Sequence, residues 1–186
     1  SFSSILISGR NLETSRVSLY WWMDNFPHGV QNIRTFLKNI PLINSLLVEW
    51  RPKTPLIDDS TLLHLTENTN HAYLRSQGEC TARGILNAFE IVCKSKAPTK
   101  FMAFHSSKSV IDHLFSMPLP TFKKTEGTFS KSLIDNDCRA ILETSRNYNE
   151  NWLVVISKID AQGRSIFAEI SLQKRKRRNS ADCNIQ

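Results

Sequence analysis

Sequence motifs that identify the common enzyme and cofactor-binding families are missing from this chain of 186 residues. It contains no GxGxxG and no P-loop, whose glycines let backbone N–H groups contact a phosphate. It also contains no GxSxG nucleophile elbow and no HExxH zinc motif. We therefore expect a binding or scaffolding domain that is not an enzyme and that needs no cofactor.

Glycine, proline and long apolar runs are scarce. Only 6 glycines and 7 prolines occur, which argues against a linker or a low-complexity protein. No apolar run approaches the ~20 residues that a membrane-spanning helix needs, so we expect no membrane partner. The composition, 40% hydrophobic and 22% charged, is typical of a globular chain. We expect one domain over residues 1–171, followed by a basic, disordered tail over residues 172–186.

Residues that could bind a metal are few and dispersed. No two of the four cysteines form a CxxC or CxH pair, whereas zinc requires clustered ligands. His64 and His71 are predicted to flank one turn, but two histidines without further ligands make a poor metal site. We predict reduced thiols and no bound metal. The cysteines are Cys80, Cys93, Cys138 and Cys183.

Positive charge is concentrated near the C-terminus. The net charge is +7, and the run Lys174, Arg175, Lys176, Arg177 and Arg178 supplies five of these charges. The rest of the chain is therefore only mildly basic. The run matches a nuclear-localisation pattern and predicts nuclear import factors as possible partners. A solvated tail and a nucleic-acid contact are the alternative interpretations.

The segment 60–95 gives the clearest structural pattern. Residues 61–66 alternate in polarity, residues 67–70 form a polar turn, and residues 71–75 form a second extended run, which together predict a β-hairpin. Apolar residues then recur with a helical period between Ala82 and Cys93. We expect this long helix to pack on the hairpin.

The remaining pattern predicts an α+β fold. The order of strands and helices favours hairpin-linked strands, hence a mostly antiparallel sheet packed against a small helix cluster with a long central helix. Residues 121–137 are predicted to be a long exposed loop. Further helices are predicted at 30–40 and 108–116, and further strands at 2–8, 17–23, 44–50, 100–104, 140–143, 152–159 and 165–170.

Parts of this pattern resemble a known viral domain. Ser-Thr-Leu-Leu at 60–63, the polar turn, the second extended run and residues 82–89 resemble the hairpin and long helix of the orthomyxovirus cap-binding domain. That domain belongs to the second basic polymerase subunit of these viruses, and the chain resembles a thogotovirus-like member of the family. The start of the chain, residues 108–115 and residues 152–170 resemble the family's neighbouring pieces in the same order.

The resemblance implies a role in cap snatching and transcription initiation. The family's subunit holds the 7-methylguanosine cap of a host pre-mRNA, so capped host pre-mRNA and the other viral polymerase subunits would be partners. The implied locations are the host nucleus and the virion. A methylated guanine is cationic and is held between aromatic rings, while an acidic side chain pairs with its edge.

Site residues are implied by the same resemblance. Trp50 matches one ring of the aromatic sandwich, and Glu49 is the nearest acid. Phe104 is a further aromatic near a strand end that could stack on a base. Where the family has its second ring, this chain reads Glu-Ile-Val-Cys at 90–93, so a degenerate pocket is one alternative.

Two other functions remain open. In the first, the domain is a non-catalytic module that contacts polymerase subunits without binding a nucleotide, and its aromatic residues form the core. In the second, it is an unrelated nuclear RNA-binding domain that uses the basic run at 174–178.

Overall fold

A computed structural model describes residues 3–8, 16–21, 27–50, 54–97, 99–118, 123–125, 127–132, 139–146 and 152–159. These residues form four helices and nine strands. The helices are α1 (Pro27–Lys38), α2 (Asp59–Asn68), α3 (Ala82–Lys94) and α4 (Lys108–Ser116). The strands are β1 (Ser3–Ser8), β2 (Arg16–Trp21), β3 (Ile43–Trp50), β4 (Thr69–Gln77), β5 (Lys100–Ser106), β6 (Lys123–Thr125), β7 (Thr128–Ser132), β8 (Arg139–Arg146) and β9 (Trp152–Ile159).

All nine strands join one mixed sheet in the order β1-β2-β3-β4-β5-β9-β8-β7-β6. Strands β2 to β5 are parallel and sequential, and helices α1 to α3 connect them. The other five pairings between described strands are antiparallel. The predicted α+β class, with a mostly antiparallel sheet packed against helices, is therefore confirmed.

The helices pack in a row, α1 on α2, α2 on α3 and α3 on α4. Sequential parallel strands with crossovers of one hand place their helices on one face of the sheet, because the winding direction never reverses. The 13-residue α3 is the longest described helix and also contacts β8 and β9. It is the predicted central helix, and Ile85, Phe89 and Val92 on its apolar face are fully buried.

The hairpin predicted over residues 61–75 is wrong in its first half, because residues 59–68 form α2. Asp58 caps this helix, since its Oδ1 accepts a hydrogen bond from the Thr61 backbone N–H at 2.7 Å. Leu62 and Leu65 are three positions apart and fully buried, as expected on one face of a helix. A six-residue alternation is too short to distinguish a strand from a helix. The cap belongs to a helix, because the first backbone N–H groups of a helix have no partner within it and a capping side chain supplies one.

The error in α2 also explains a wrong prediction of connectivity. Because α2 lies between β3 and β4, these strands are parallel and joined by a crossover, not by a hairpin. The predicted loop over residues 121–137 is also wrong in part, since β6 and β7 lie within it. The hairpin β6–β7 turns at Gly127, whose φ of 68° is a conformation that glycine adopts without strain.

Several boundaries are confirmed. Strand β9 and helix α4 match the predicted ranges, and α4 is capped by Ser107, whose side chain accepts a hydrogen bond from Val110 N. The predicted strand at 165–170 and the basic tail at 172–186 lie outside the described residues. β9 pairs with β8 over its whole length and with β5 over residues 152–158.

Candidate interaction surface

Two of the three predicted cap-binding residues lie in the main hydrophobic core. Trp50 is 4% exposed and its indole Nε1 donates a hydrogen bond to Thr54 O at 2.9 Å. Phe104 is fully buried in the same core. Neither ring presents a free face on which a base could stack.

Glu49 lies on the opposite side of the sheet, because successive side chains of a strand point to opposite faces. Its Oε1 accepts a hydrogen bond from Arg75 Nη1 at 3.3 Å, and these residues are register partners on β3 and β4. The structure therefore does not bring Glu49, Trp50 and Phe104 together. The basic run at 174–178 lies outside the described residues.

A second apolar cluster lies on the side of the sheet that no described helix covers. It contains Phe101, Ala103 and Val155, with Tyr73 and Leu153 packed against it. All five belong to strands, whereas the main core combines strands with helices. We call this side of β3, β4, β5 and β9 the strand face.

The strand register arranges this face in rows. One row runs Leu47, Tyr73, Ala103 and Val155 across four neighbouring strands. Leu47 and Tyr73 are half-buried, while Ala103 and Val155 are buried. Apolar side chains aligned across strands make a continuous patch, and the half-buried members give it accessible surface.

Two histidines extend the strand face and carry no charge at neutral pH. Burial lowers the pKa of His71, which pairs in register with Phe101. Burial, and secondarily the charge of Arg75, lowers the pKa of His105, which pairs with Leu153. The Nε2 atom of His71 is buried and has no hydrogen-bond partner within the described part of the chain. The central part of the face is thus apolar and uncharged at pH 7.

The cationic side chains near the strand face are not placed to bind phosphate. Arg75 is 61% exposed, but it is already paired with Glu49. Lys100 and Lys158 project to the helix side, where their ammonium groups bond to carbonyls at the ends of α2 and α3. Nucleic-acid binding relies on cations that are free to meet phosphates.

The described ranges contain no visible metal site, and the thiol of Cys80 is not activated. Within them, no group of three or more His, Cys, Asp or Glu residues is placed to hold a metal ion. His64 bonds instead to Ile40 O through Nε2, at 3.0 Å. Cys80 is buried, and burial together with the nearby carboxylates Asp59 and Asp58 raises the pKa of its thiol. None of the described helices combines the length and apolarity needed to cross a membrane.

Comparisons with known proteins identify no relative, because no family model, curated protein or solved structure matches the chain. The resemblance to cap-binding domains therefore rests on the sequence features alone. One of those features changes in the structure, since α2 and β4 replace the hairpin.

Sequence reasoning missed the strand face. Its signal is present as alternation along residues 45–50 and 71–76, where every second position is less buried. Alternation shows that a strand has two unlike faces, but it does not tell which face the helices cover. The face that the helices cover depends on the order of the strands in the sheet. This order could not be deduced once α2 was assigned as a strand.

Proposed function

We propose that this domain is a non-catalytic interaction module that binds a partner protein through the strand face. The observation that carries the proposal is the apolar patch of Leu47, Tyr73 and Leu153 on a side of the sheet without a described helix. An apolar patch with an aromatic at its centre is typical of protein interfaces.

The chemistry of the face defines the partner. At neutral pH the centre of the face has no charge, because both histidines are deprotonated. The Arg75–Glu49 ion pair lies at its rim and fixes orientation more than affinity. We therefore expect a partner that presents apolar side chains surrounded by polar groups. On the resemblance to orthomyxovirus polymerases, the other subunits of a viral polymerase are the first partners to test.

Cap binding is the competing hypothesis, and the burial of Trp50 and Phe104 speaks against stacking on those rings. A thermal melt with a 7-methylguanosine cap analogue, compared with GTP, separates the two functions. A ligand that binds only the folded state raises the melting temperature. We expect no rise with either nucleotide. A rise specific to the methylated analogue would show cap binding and overturn our proposal.

The interaction itself is tested by quantitative co-purification with the candidate polymerase subunits. Tyr73→Ser and Leu47→Ser should each weaken partner binding about tenfold and lower the recovered partner accordingly, the effect expected for truncation of a hot-spot residue. Phe36→Ser is the matched control, because Phe36 is an exposed aromatic on the helix side. Equal recovery with all three variants would show that the strand face is not the interface.

A further inference from the structure

The two edges of the sheet differ in how they are protected from pairing. Edge strand β6 has three residues, Lys123, Lys124 and Thr125, and all are exposed. Short, lysine-rich edge strands prevent association between sheets. The opposite edge strand, β1, has six residues and reads Ser-Ser-Ile-Leu-Ile-Ser, with no charge and no proline. Within the described part of the chain, β1 pairs only with β2, so its second edge has no partner there.

The sequence of β1 is also self-complementary. Residues 4–8 read Ser-Ile-Leu-Ile-Ser in both directions. An antiparallel pairing of two copies centred on Leu6 therefore places Leu6 opposite Leu6, Ile5 opposite Ile7 and Ser4 opposite Ser8. In a twofold-symmetric interface residue i contacts j while j contacts i. Every pair in this register joins residues of similar polarity, so no serine lies opposite an apolar side chain.

Helix α1 carries an exposed aromatic side chain on the flank away from α2. On α1, Arg34 bonds to Pro55 O at 2.7 Å and Lys38 bonds to Asp58, the cap of α2. These two residues mark the flank of α1 that faces α2. Phe36 lies two positions from each, hence on the opposite flank of α1. Phe36 is 37% exposed, one of two large hydrophobic side chains found exposed among the described residues.

We propose that two copies of this chain associate through β1, in an antiparallel pairing centred on Leu6, to form a symmetric dimer with one continuous sheet. Charge favours this edge over the other. Pairing two copies of β6 would bring their lysines together, whereas β1 carries no charge to repel. The twofold axis stands perpendicular to the sheet, so both copies keep their helices on the same face. This surface is separate from the strand face, and the dimer does not depend on the proposed partner.

Sedimentation of the 186-residue chain from micromolar to submillimolar concentration tests association. We expect a reversible monomer–dimer equilibrium, together with slower amide exchange in β1 as concentration rises. A monomer at every concentration, with unchanged exchange, would overturn the proposal.

Two double variants test the register. Ser4→Glu with Ser8→Glu places like charges opposite each other in the dimer, while Ser4→Lys with Ser8→Glu places opposite charges there. We expect their dimer dissociation constants to differ by about tenfold, with the like-charged variant weaker. Both variants carry Ser8→Glu, opposite Arg16 on β2, and they differ only at position 4, opposite the uncharged Tyr20, so a loss of folding in β1 would affect them alike. Thr125→Lys on β6 should leave the dimer unchanged. Equal dissociation of the two double variants, or dissociation by Thr125→Lys, would reject the β1 interface.

Discussion

Lys100 and Lys158 lie directly opposite each other on β5 and β9, yet their ammonium groups bond to the ends of different helices. Lys100 Nζ donates hydrogen bonds to Thr66 O and Glu67 O in the last turn of α2. Lys158 Nζ donates to Ser95 O, at the end of α3, at 2.7 Å. A cation at a helix C-terminus compensates free carbonyl groups and the helix dipole. Two like charges are thus tolerated side by side because each has carbonyl partners.

The first prediction concerns alkaline pH. Burial lowers the pKa of Lys100, while the nearby Glu67 opposes the shift. The unfolded chain therefore binds more protons than the folded one between the lowered pKa and about 10.4, the ordinary lysine value. Wild-type stability should rise relative to Lys100→Met as pH increases from 8 to 10. Urea unfolding of both proteins at each pH measures this difference, and a parallel response would contradict it.

The second prediction concerns the contact between α2 and α3. Asp59 Oδ1 accepts a hydrogen bond from Thr81 N, and Asp59 Oδ2 accepts one from Thr81 Oγ1, both at 2.7 Å. A Cβ atom at Gly84 would lie 2.0 Å from Asp59 Oδ1. Gly84→Ala should therefore displace the carboxylate and reduce the free energy of unfolding by about 1–3 kcal/mol, despite the better helix propensity of alanine.

A double-mutant cycle identifies the cause of that loss. In an Asp59→Ala background the clash is absent, so Gly84→Ala should be neutral or stabilising. Chemical denaturation of the four proteins gives the coupling free energy. If Gly84→Ala costs the same in both backgrounds, the close approach to Asp59 is not the reason.

Local signals predicted α4 and β9 correctly, because their caps, periodicity and turn residues lie within or beside the element. Helix α2 was missed although its signal was local, since Asp58 is a favoured N-cap residue and the acidic Asp59 follows it in the first turn. The parallel order of β2 to β5 is non-local and could not be deduced once α2 was assigned as a strand. The same error concealed the strand face. The proposed cap residues failed to assemble because Trp50 and Glu49, as neighbours on one strand, face opposite sides of the sheet.

The third prediction is that Trp50 stabilises the fold. Trp50→Ala should cost about 3–5 kcal/mol, because it empties a large volume in the main core. Trp50→Phe should cost less, roughly 1–2 kcal/mol, by losing the hydrogen bond from Nε1 to Thr54 O and part of the packing. Urea denaturation measures both values. A Trp50→Ala protein as stable as wild type would show that this ring is dispensable to the core.

The fourth prediction concerns mildly acidic pH and the strand face. Burial lowers the pKa of both His71 and His105 below the ordinary 6.5. Their contribution to stability is complete above pH 6.5, where both states are neutral, and it is lost as pH falls through the lowered values. Between pH 6.5 and the lowered pKa values, the unfolded chain binds more protons than the folded protein. Stability should therefore fall as pH drops from 7.5 to 5.

The variant His71→Gln separates this effect from the titration of carboxylates, which continues unchanged in the variant. Glutamine does not titrate, so the variant should lose less stability than wild type between pH 7.5 and 5, while His105 still contributes. A matched control is His113→Gln on α4, where the imidazole is exposed. That variant should follow the wild-type curve, because the side chain of His113 is exposed to solvent in the folded protein, as it is in the unfolded chain. If His71→Gln loses as much stability as wild type, the buried Nε2 of His71 is not a source of the acid sensitivity.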